Sequence, residues 1–116
     1  MPVLKIITNL SRDKIPADFF TKATEFLAKL LEKDKKFIRV IVIPDALMMT
    51  AGEEGPCLVS EMIALDRFNK EANKKYAPEI FAFYKEQLGI EYSKANVVFT
   101  DPGRENIGAN GTTLAT

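Results

Sequence analysis

The sequence predicts an α+β fold, in which two β-α-β repeats form a four-stranded sheet with two helices on one face. Segments rich in β-branched residues alternate twice with segments whose apolar residues recur at three- and four-residue spacing. Both halves also end alike, in the strand-to-turn stretches "VIPD" and "VFTD". A chain of 116 residues suits one domain over residues 1–116. An unrelated ferredoxin-like split βαβ fold would fit the same pattern.

The first strand is predicted at Val3–Thr8, where β-branched residues dominate and the turn-prone Asn9 follows. Pro16 is the predicted first position of the first helix, because proline suits that position. The apolar residues of this helix share one face: Phe19, Ala23, Phe26, Leu27, Leu30 and Leu31. The helix ends in the charged run Glu32–Lys36, whose lysines suit the negative end of the helix dipole.

The second strand is predicted at residues 37–43, "FIRVIVI", with Pro44 and Asp45 stopping it. Arg39 is its one polar residue. A strand that is apolar on both faces is normally buried on both faces. Because both predicted helices lie on one face of the sheet, the chain has no element to cover the other. The sequence therefore predicts self-association.

The second half repeats the order of the first. Its strands are predicted at Cys57–Leu65 and Asn96–Thr100. The helix between them extends to Leu88, with Gly89 as the expected stop. Pro78 either kinks this helix or lies close to its start. The tail "NIGANGTTLAT" predicts a short turn-and-strand element.

Composition excludes several classes of function. Lys+Arg and Asp+Glu are both 16, which argues against a broad nucleic-acid-binding surface. The absence of histidine excludes a histidine-based triad and a histidine-ligated metal site. A single cysteine, Cys57, excludes an intrachain disulfide framework and fits a reducing compartment. No signal peptide is apparent, and no apolar run approaches the ~18–20 residues of a membrane span, so membrane insertion is not expected.

Several short stretches occur in a fixed order along the whole chain. They are "MPVLKIITNL" at the start, "VIPDALMMTAG" at 42–52, "PC" at 56–57, Asn73, Tyr76 and "NIGANGTT" near the end. In order and spacing they resemble the macrophage migration inhibitory factor family, which includes D-dopachrome tautomerase. The resemblance implies a homotrimer whose three sheets enclose a central barrel-like space. It also implies cofactor-free keto–enol tautomerase activity on phenylpyruvate-like or dopachrome-like substrates.

Pro2 matches the catalytic proline of that family. An α-amine has a pKa near ~7.7–8.0, and burial in an apolar pocket lowers it. A neutral secondary amine is a competent general base for a proton next to a carbonyl. Met1 must first be removed, because an amide nitrogen lacks this basicity, and the small Pro2 permits removal. The alternative is an ordinary proline at the start of a strand.

The resemblance assigns substrate binding to four further residues. Lys33 matches a lysine that pairs with the substrate carboxylate and stabilises enolate charge, although a solvated lysine in a charge run is the simpler alternative. Leu65 replaces an isoleucine whose backbone N–H contacts the substrate. Phe37 keeps an aromatic ring without the hydroxyl. Asn96 replaces a tyrosine, and it can donate a hydrogen bond but is no proton acid near neutral pH.

The chain departs from the family most in the pocket wall that a neighbouring subunit supplies. Asn96 and Val98 stand in place of a tyrosine and an asparagine, Ala109 in place of an indole, and Leu114 in place of a phenylalanine. Asp66 adds a carboxylate near an anion site, which is unfavourable unless it points away. We therefore expect a weaker or differently selective tautomerase.

Two alternatives to an enzyme remain. The resemblance also implies a cytokine-like protein that binds a cell-surface receptor and has a partly vestigial site. Such a protein would be both cytoplasmic and secreted without a signal peptide. The plainest alternative is a trimeric scaffold with neither role.

Overall fold

The structure is a computed structural model and describes residues 1–115. The strands are β1 (Val3–Thr8), β2 (Arg39–Ile43), β3 (Leu58–Ile63), β4 (Ala95–Thr100), β5 (Gly108–Ala109) and β6 (Thr112–Thr113); the helices are α1 (Phe19–Leu31) and α2 (Lys70–Leu88). Within residues 1–115, no helix has the length and apolar character needed to cross a bilayer.

The main sheet has the strand order β2-β1-β3-β4. β1 pairs in parallel with β2 and β3 in parallel with β4, so each half of the chain is one β-α-β unit. The two units meet where β1 pairs antiparallel with β3. The predicted fold class is confirmed. The split alternative is wrong, because β1 and β2 are direct neighbours.

One face of the sheet, the core face, packs against both helices. Leu4, Ile6 and Thr8 of β1 alternate onto this face and are buried. The helices add these buried residues: Phe19, Ala23, Leu27 and Leu31 from α1, and Ile80, Tyr84 and Leu88 from α2. The Tyr84 hydroxyl donates a hydrogen bond to Ser60 Oγ at 2.8 Å, and burial raises its pKa to about 12. All four buried residues of α1 belong to the apolar face that the sequence predicted.

The starts of α1 and β2 differ from the prediction. α1 begins at Phe19 and not at Pro16, whose carbonyl accepts a hydrogen bond from the Phe19 N–H in a preceding turn. β2 begins at Arg39, because the chain first makes a 3-10 turn at Lys35–Phe37. The side chain of Asp34 caps that turn, which sequence periodicity does not reveal.

The second half differs in smaller ways. β3 is shorter than predicted, because the chain turns away at Asp66 with a left-handed φ of 58°. α2 runs through Pro78, and Asn69 caps its start by accepting a hydrogen bond from the Ala72 N–H at 2.8 Å. Gly89 ends α2 at a φ of 68°, as predicted. The predicted tail element is the β5–β6 hairpin.

The other face of the sheet, the open face, has no covering element among residues 1–115. Its apolar side chains are Val3, Ile7, Ile41, Ile43, Val59, Ile63 and Val98. In β2, Val40 and Val42 pack on the core while Ile41 and Ile43 lie on the open face. The strand is therefore apolar on both faces, as the sequence indicated.

Candidate functional site

A cavity lies at the end of the sheet where β1 and β2 begin and β3 and β4 end. These ends meet because β1 is parallel to β2 and antiparallel to β3. The cavity has a volume of about 430 Å³. We call it the N-terminal cavity, and it is lined by Met1, Lys33, Lys36, Phe37, Arg39, Leu65, Arg104, Ala109 and Leu114.

Met1 lines this cavity, whereas the predicted catalytic residue, Pro2, is not among the lining residues. Pro2 is fully buried, and its carbonyl accepts a hydrogen bond from the Arg39 N–H at 3.0 Å. Met1 precedes it, so the Pro2 nitrogen is an amide and the α-amine belongs to Met1. Burial lowers the pKa of the Met1 α-amine below its ordinary value, and nearby cations, Lys33 foremost, lower it further. An amine in these surroundings is therefore driven toward its neutral form.

Lys33 reaches the cavity because of the way α1 ends. Glu32 adopts a left-handed φ of 53°, and the backbone N–H groups of Glu32 and Lys33 both donate to the Ala28 carbonyl. This turn directs the chain off the helix and leaves the Lys33 side chain half-buried at the cavity. A left-handed conformation costs a non-glycine residue about 1–2 kcal/mol. The turn at Glu32 thus places Lys33 at some cost in stability.

Leu65 follows β3 and lines the cavity with a buried side chain. Its backbone N–H has no hydrogen-bond acceptor among residues 1–115. The next residue, Asp66, pairs its carboxylate with the guanidinium of Arg104 and does not line the cavity. The sequence indicated that a carboxylate at Asp66 would be unfavourable near an anion site. In the structure this carboxylate is paired with a cation and lies outside the cavity lining.

A hydrogen-bonded turn fixes this corner of the cavity. The Asp101 carboxylate accepts from the backbone N–H of Asp66 at 3.0 Å and from that of Gly103 at 2.9 Å. These two hydrogen bonds lower the pKa of the Asp101 carboxyl. Arg104 directly follows this turn, so the turn brings its side chain to the cavity.

The aromatic ring of Phe37 lines the cavity from the 3-10 turn before β2. The side chain is more than half exposed, at 53%, although it is a large apolar residue. Lys36 Nζ lies 5.2 Å from the centroid of this ring. An exposed ring beside cations suits an aryl anion, since the ring contacts the aryl group and the cations attract the charge.

Asn96 does not line the N-terminal cavity of its own chain. It lies on β4 with its side chain exposed on the open face, two residues from Val98, which is also exposed. Its expected role belongs to the pocket of a neighbouring subunit, and that role stays a prediction. Ala109 and Leu114, by contrast, line the cavity of their own chain, because the β5–β6 hairpin folds back and Leu114 N–H donates to the Ile107 carbonyl.

Sequence reasoning missed three cations that line the cavity: Lys36, Arg39 and Arg104. Lys36 lies in a charge run that looked solvated. Arg39 gave a signal, since it is the one polar residue of "FIRVIVI". Arg104 gave none, because only the folded sheet brings the segment after β4 next to the start of β1. The cavity is therefore more cationic than the sequence suggested.

No group of three or more His, Cys, Asp or Glu side chains within residues 1–115 could hold a metal ion. The cavity instead combines a terminal nitrogen, cationic side chains, a backbone N–H and an aromatic ring. Together these groups can bind a small organic anion and accept a proton from it.

Comparisons with known proteins give one consistent result. The family model for Macrophage migration inhibitory factor (MIF) matches residues 1–115. Macrophage migration inhibitory factor of Xenopus laevis is 30% identical over 115 residues, covering 99% of this chain and 100% of that protein. The structure of the factor from Trichinella spiralis has a TM-score of 0.93 at 20% identity, covering 96% of this chain and 98% of that one. The structure of the factor from Oncomelania hupensis has a TM-score of 0.91 at 25% identity. The match covers 97% of this chain and 81% of that one.

Proposed function

The chain belongs to the macrophage migration inhibitory factor family, and on that premise we propose that it is a cofactor-free keto–enol tautomerase. The substrates are phenylpyruvate-like or dopachrome-like, and the base is the Pro2 amine after removal of Met1. One observation carries the proposal: Met1, which directly precedes Pro2, lines a single cavity together with Lys33 and Leu65.

The base follows from the surroundings of the N-terminus. Burial and neighbouring cations lower the pKa of the Met1 α-amine. Removal of Met1 exposes a secondary amine on Pro2 at the same end of the cavity, where similar forces act on it. The neutral Pro2 nitrogen takes the proton from the carbon next to the substrate carbonyl. The electrons of that C–H bond form the C=C bond of an enolate, and the proton returns to the oxygen to give the enol.

Substrate binding falls to residues around this base. The Lys33 ammonium pairs with the substrate carboxylate and stabilises the negative charge that develops on the enolate oxygen. The backbone N–H of Leu65 donates to the same anion. The ring of Phe37 packs against the aryl group. These contacts hold the reacting carbon near Pro2, and proximity of this kind lowers the barrier.

We also propose that the protein is a homotrimer assembled through the open face. That face is largely apolar, and no element among residues 1–115 covers it. Assembly would bury the open face. It would also bring Asn96 and Val98 to the cavity of a neighbouring copy. Sedimentation at micromolar concentration should give about three times 13.0 kDa. Sedimentation as a monomer alone would contradict both the trimer and the pocket shared between subunits.

A second candidate function is cytokine-like signalling through a cell-surface receptor, with the protein both cytoplasmic and secreted. The observation in its favour is the loss of aromatic contact area at Ala109 and Leu114, which line the cavity. We expect a signalling role to survive Pro2→Gly, since this change affects the amine and not the surface. Inhibition of cell migration by processed wild type and by Pro2→Gly would be compared. A parallel loss of activity and signalling would argue against a separate signalling role.

The enzyme proposal is tested by a tautomerase assay on phenylpyruvate. Two samples are needed, one with Met1 removed and one with Met1 retained, each verified by mass spectrometry. We expect turnover only by the processed protein, because only that sample has a basic nitrogen at Pro2. Equal turnover by both samples would exclude the Pro2 amine as the base.

A further inference from the structure

We propose that the N-terminal cavity prefers 2-oxo acids that carry a second carboxylate over acids with a single one. This inference deepens the proposed tautomerase and rests on it. Four cationic side chains line the cavity: Lys33, Lys36, Arg39 and Arg104. Among residues 1–115, no acidic side chain lines it. A substrate with one carboxylate can satisfy only part of this positive charge.

The ion pairs of the protein leave most of these cations without a counter-charge. Arg104 pairs with Asp66, so part of its charge is already balanced. Lys33, Lys36 and Arg39 form no ion pair within residues 1–115. Like charges around a partly enclosed space repel each other more strongly than charges in bulk water. After Lys33 binds the first carboxylate, Lys36 and Arg39 still favour a second anion.

We assign the second carboxylate to Arg39. Its backbone N–H donates to the Pro2 carbonyl, so its position relative to the proposed base is set by the sheet. Lys33 follows α1 whereas Arg39 begins β2, so the two cations reach the cavity from different elements. A guanidinium can also bind a carboxylate through two parallel hydrogen bonds. The two cations therefore provide separate anchors for the two ends of a diacid.

The wall residues that the resemblance assigns to a neighbouring subunit would add no negative charge to the cavity. The residues that the resemblance assigns to the neighbouring part of the wall, Asn96 and Val98, are both uncharged. The cavity volume of about 430 Å³ is within the range of sites that hold small organic ligands. Size and charge both suit a compact aryl diacid.

The kinetic test compares two substrates that differ by one carboxylate, phenylpyruvate and (4-carboxyphenyl)pyruvate, on protein whose Met1 has been removed. We expect kcat/KM for the diacid to exceed that for the monoacid by about tenfold, the effect of one added charge-assisted contact. Arg39→Gln should bring this ratio close to one. The control, Lys35→Gln, removes an exposed lysine that does not line the cavity and should keep the ratio. A wild-type ratio near one, or a ratio unaffected by Arg39→Gln, would overturn the proposal.

A binding test separates this inference from the tautomerase proposal. Phenylacetate and 4-carboxyphenylacetate lack the oxo group and cannot enolise, so calorimetry measures their affinity without turnover. We expect about tenfold tighter binding of the diacid at low salt, weakened by Arg39→Gln and by added salt. If neither oxo acid reacts while this preference holds, the tautomerase proposal fails and the charge preference stands. Equal affinity for the two acids contradicts the charge preference even if both oxo acids react.

Discussion

The two ends of the sheet contain equivalent parts of the two β-α-β units, yet the residue that follows each helix differs in burial. We call the end where β3 and β4 begin, which holds the buried Ile90, the closed end. Each helix ends in a left-handed turn, at Glu32 with φ 53° in α1 and at Gly89 with φ 68° in α2. The next residue is Lys33 in the first unit and Ile90 in the second. Ile90 is fully buried, whereas Lys33 is half-buried at the N-terminal cavity. The same backbone turn thus supports either a core contact or a site, depending on the residue that follows it.

Side-chain hydrogen bonds complete the closed end. The Thr8 hydroxyl donates to the Cys57 carbonyl at 2.8 Å, and the Cys57 N–H donates to Asn9 Oδ1 at 2.9 Å. Asn9 Nδ2 in turn donates to the Gly55 carbonyl at 2.8 Å. At the cavity end, Arg104 pairs with Asp66, whereas Lys33, Lys36 and Arg39 form no ion pair within residues 1–115. We conclude that the closed end contributes stability, whereas the cavity end keeps its polar groups available for a ligand.

The largest expected effect lies at the closed end. Ile90→Ala should lower the free energy of unfolding by about 2–5 kcal/mol, because it leaves a void in a packed core. Urea denaturation of the two proteins measures this difference. A change below about 1 kcal/mol would show that this end is less tightly packed than the burial of Ile90 indicates.

The equivalent change at the cavity end should affect activity and not stability. Lys33→Met should lower kcat/KM for a 2-oxo acid by about tenfold to a hundredfold, since it removes the charge that stabilises the enolate. Its midpoint in urea should stay close to that of the wild type. Lys35→Met is the matched control, because this exposed lysine lies outside the cavity. An equal loss in both variants would mean that general surface charge, and not Lys33, attracts the substrate.

Aromatic side chains introduced at the cavity should raise activity on an aryl substrate. Ala109→Trp combined with Asn96→Tyr should raise kcat/KM for phenylpyruvate by about tenfold, since an aromatic pair contributes about 0.5–1.5 kcal/mol. Ala109 lines the cavity of its own chain, whereas Asn96 does not, so an effect of Asn96 would require the proposed assembly. A gain from Asn96→Tyr alone would therefore support the shared pocket. An aliphatic 2-oxo acid serves as the control substrate and should show no gain.

The smallest expected effect concerns the two helix-ending turns. Glu32→Gly should stabilise the protein by about 0.5–1 kcal/mol by relieving the left-handed conformation, and Gly89→Ala should destabilise it by about as much. No atom lies within 4 Å of a Cβ added at Gly89, so the cost there comes from the backbone alone. Glu32→Ala removes the same carboxylate but keeps a Cβ, and it should bring no gain. Thermal melts of the three variants measure these differences.

Much of the fold could be predicted from the sequence, because it depends on periodic patterns. The apolar spacing of α1 identified the face that packs on the core, and the β-branched residues of β1 predicted its bounds. The errors lie at element ends, where a single local contact decides. Asp34 caps a 3-10 turn and thereby moves the start of β2 to Arg39, a contact that no periodicity reveals.

The candidate site could be predicted only in part. The resemblance named Lys33, Leu65 and Phe37, and the structure brings these three residues to one cavity. Arg104 was missed, since it joins them only through the pairing of β3 with β4 and the turn at Asp101. The sequence contains no spacing that relates a residue after the last long strand to the first residues of the chain.

The central claim is that the amine of Pro2 is the base, held neutral by its surroundings. It is tested most directly by the pH dependence of kcat/KM for phenylpyruvate, measured with protein whose Met1 has been removed. Only the neutral amine accepts a proton, so the rate should fall as the pH falls through the pKa of this group. We predict an apparent pKa below the ~7.7 of an unperturbed α-amine. An apparent pKa above ~8, or a rate that does not depend on pH across this range, would contradict the claim.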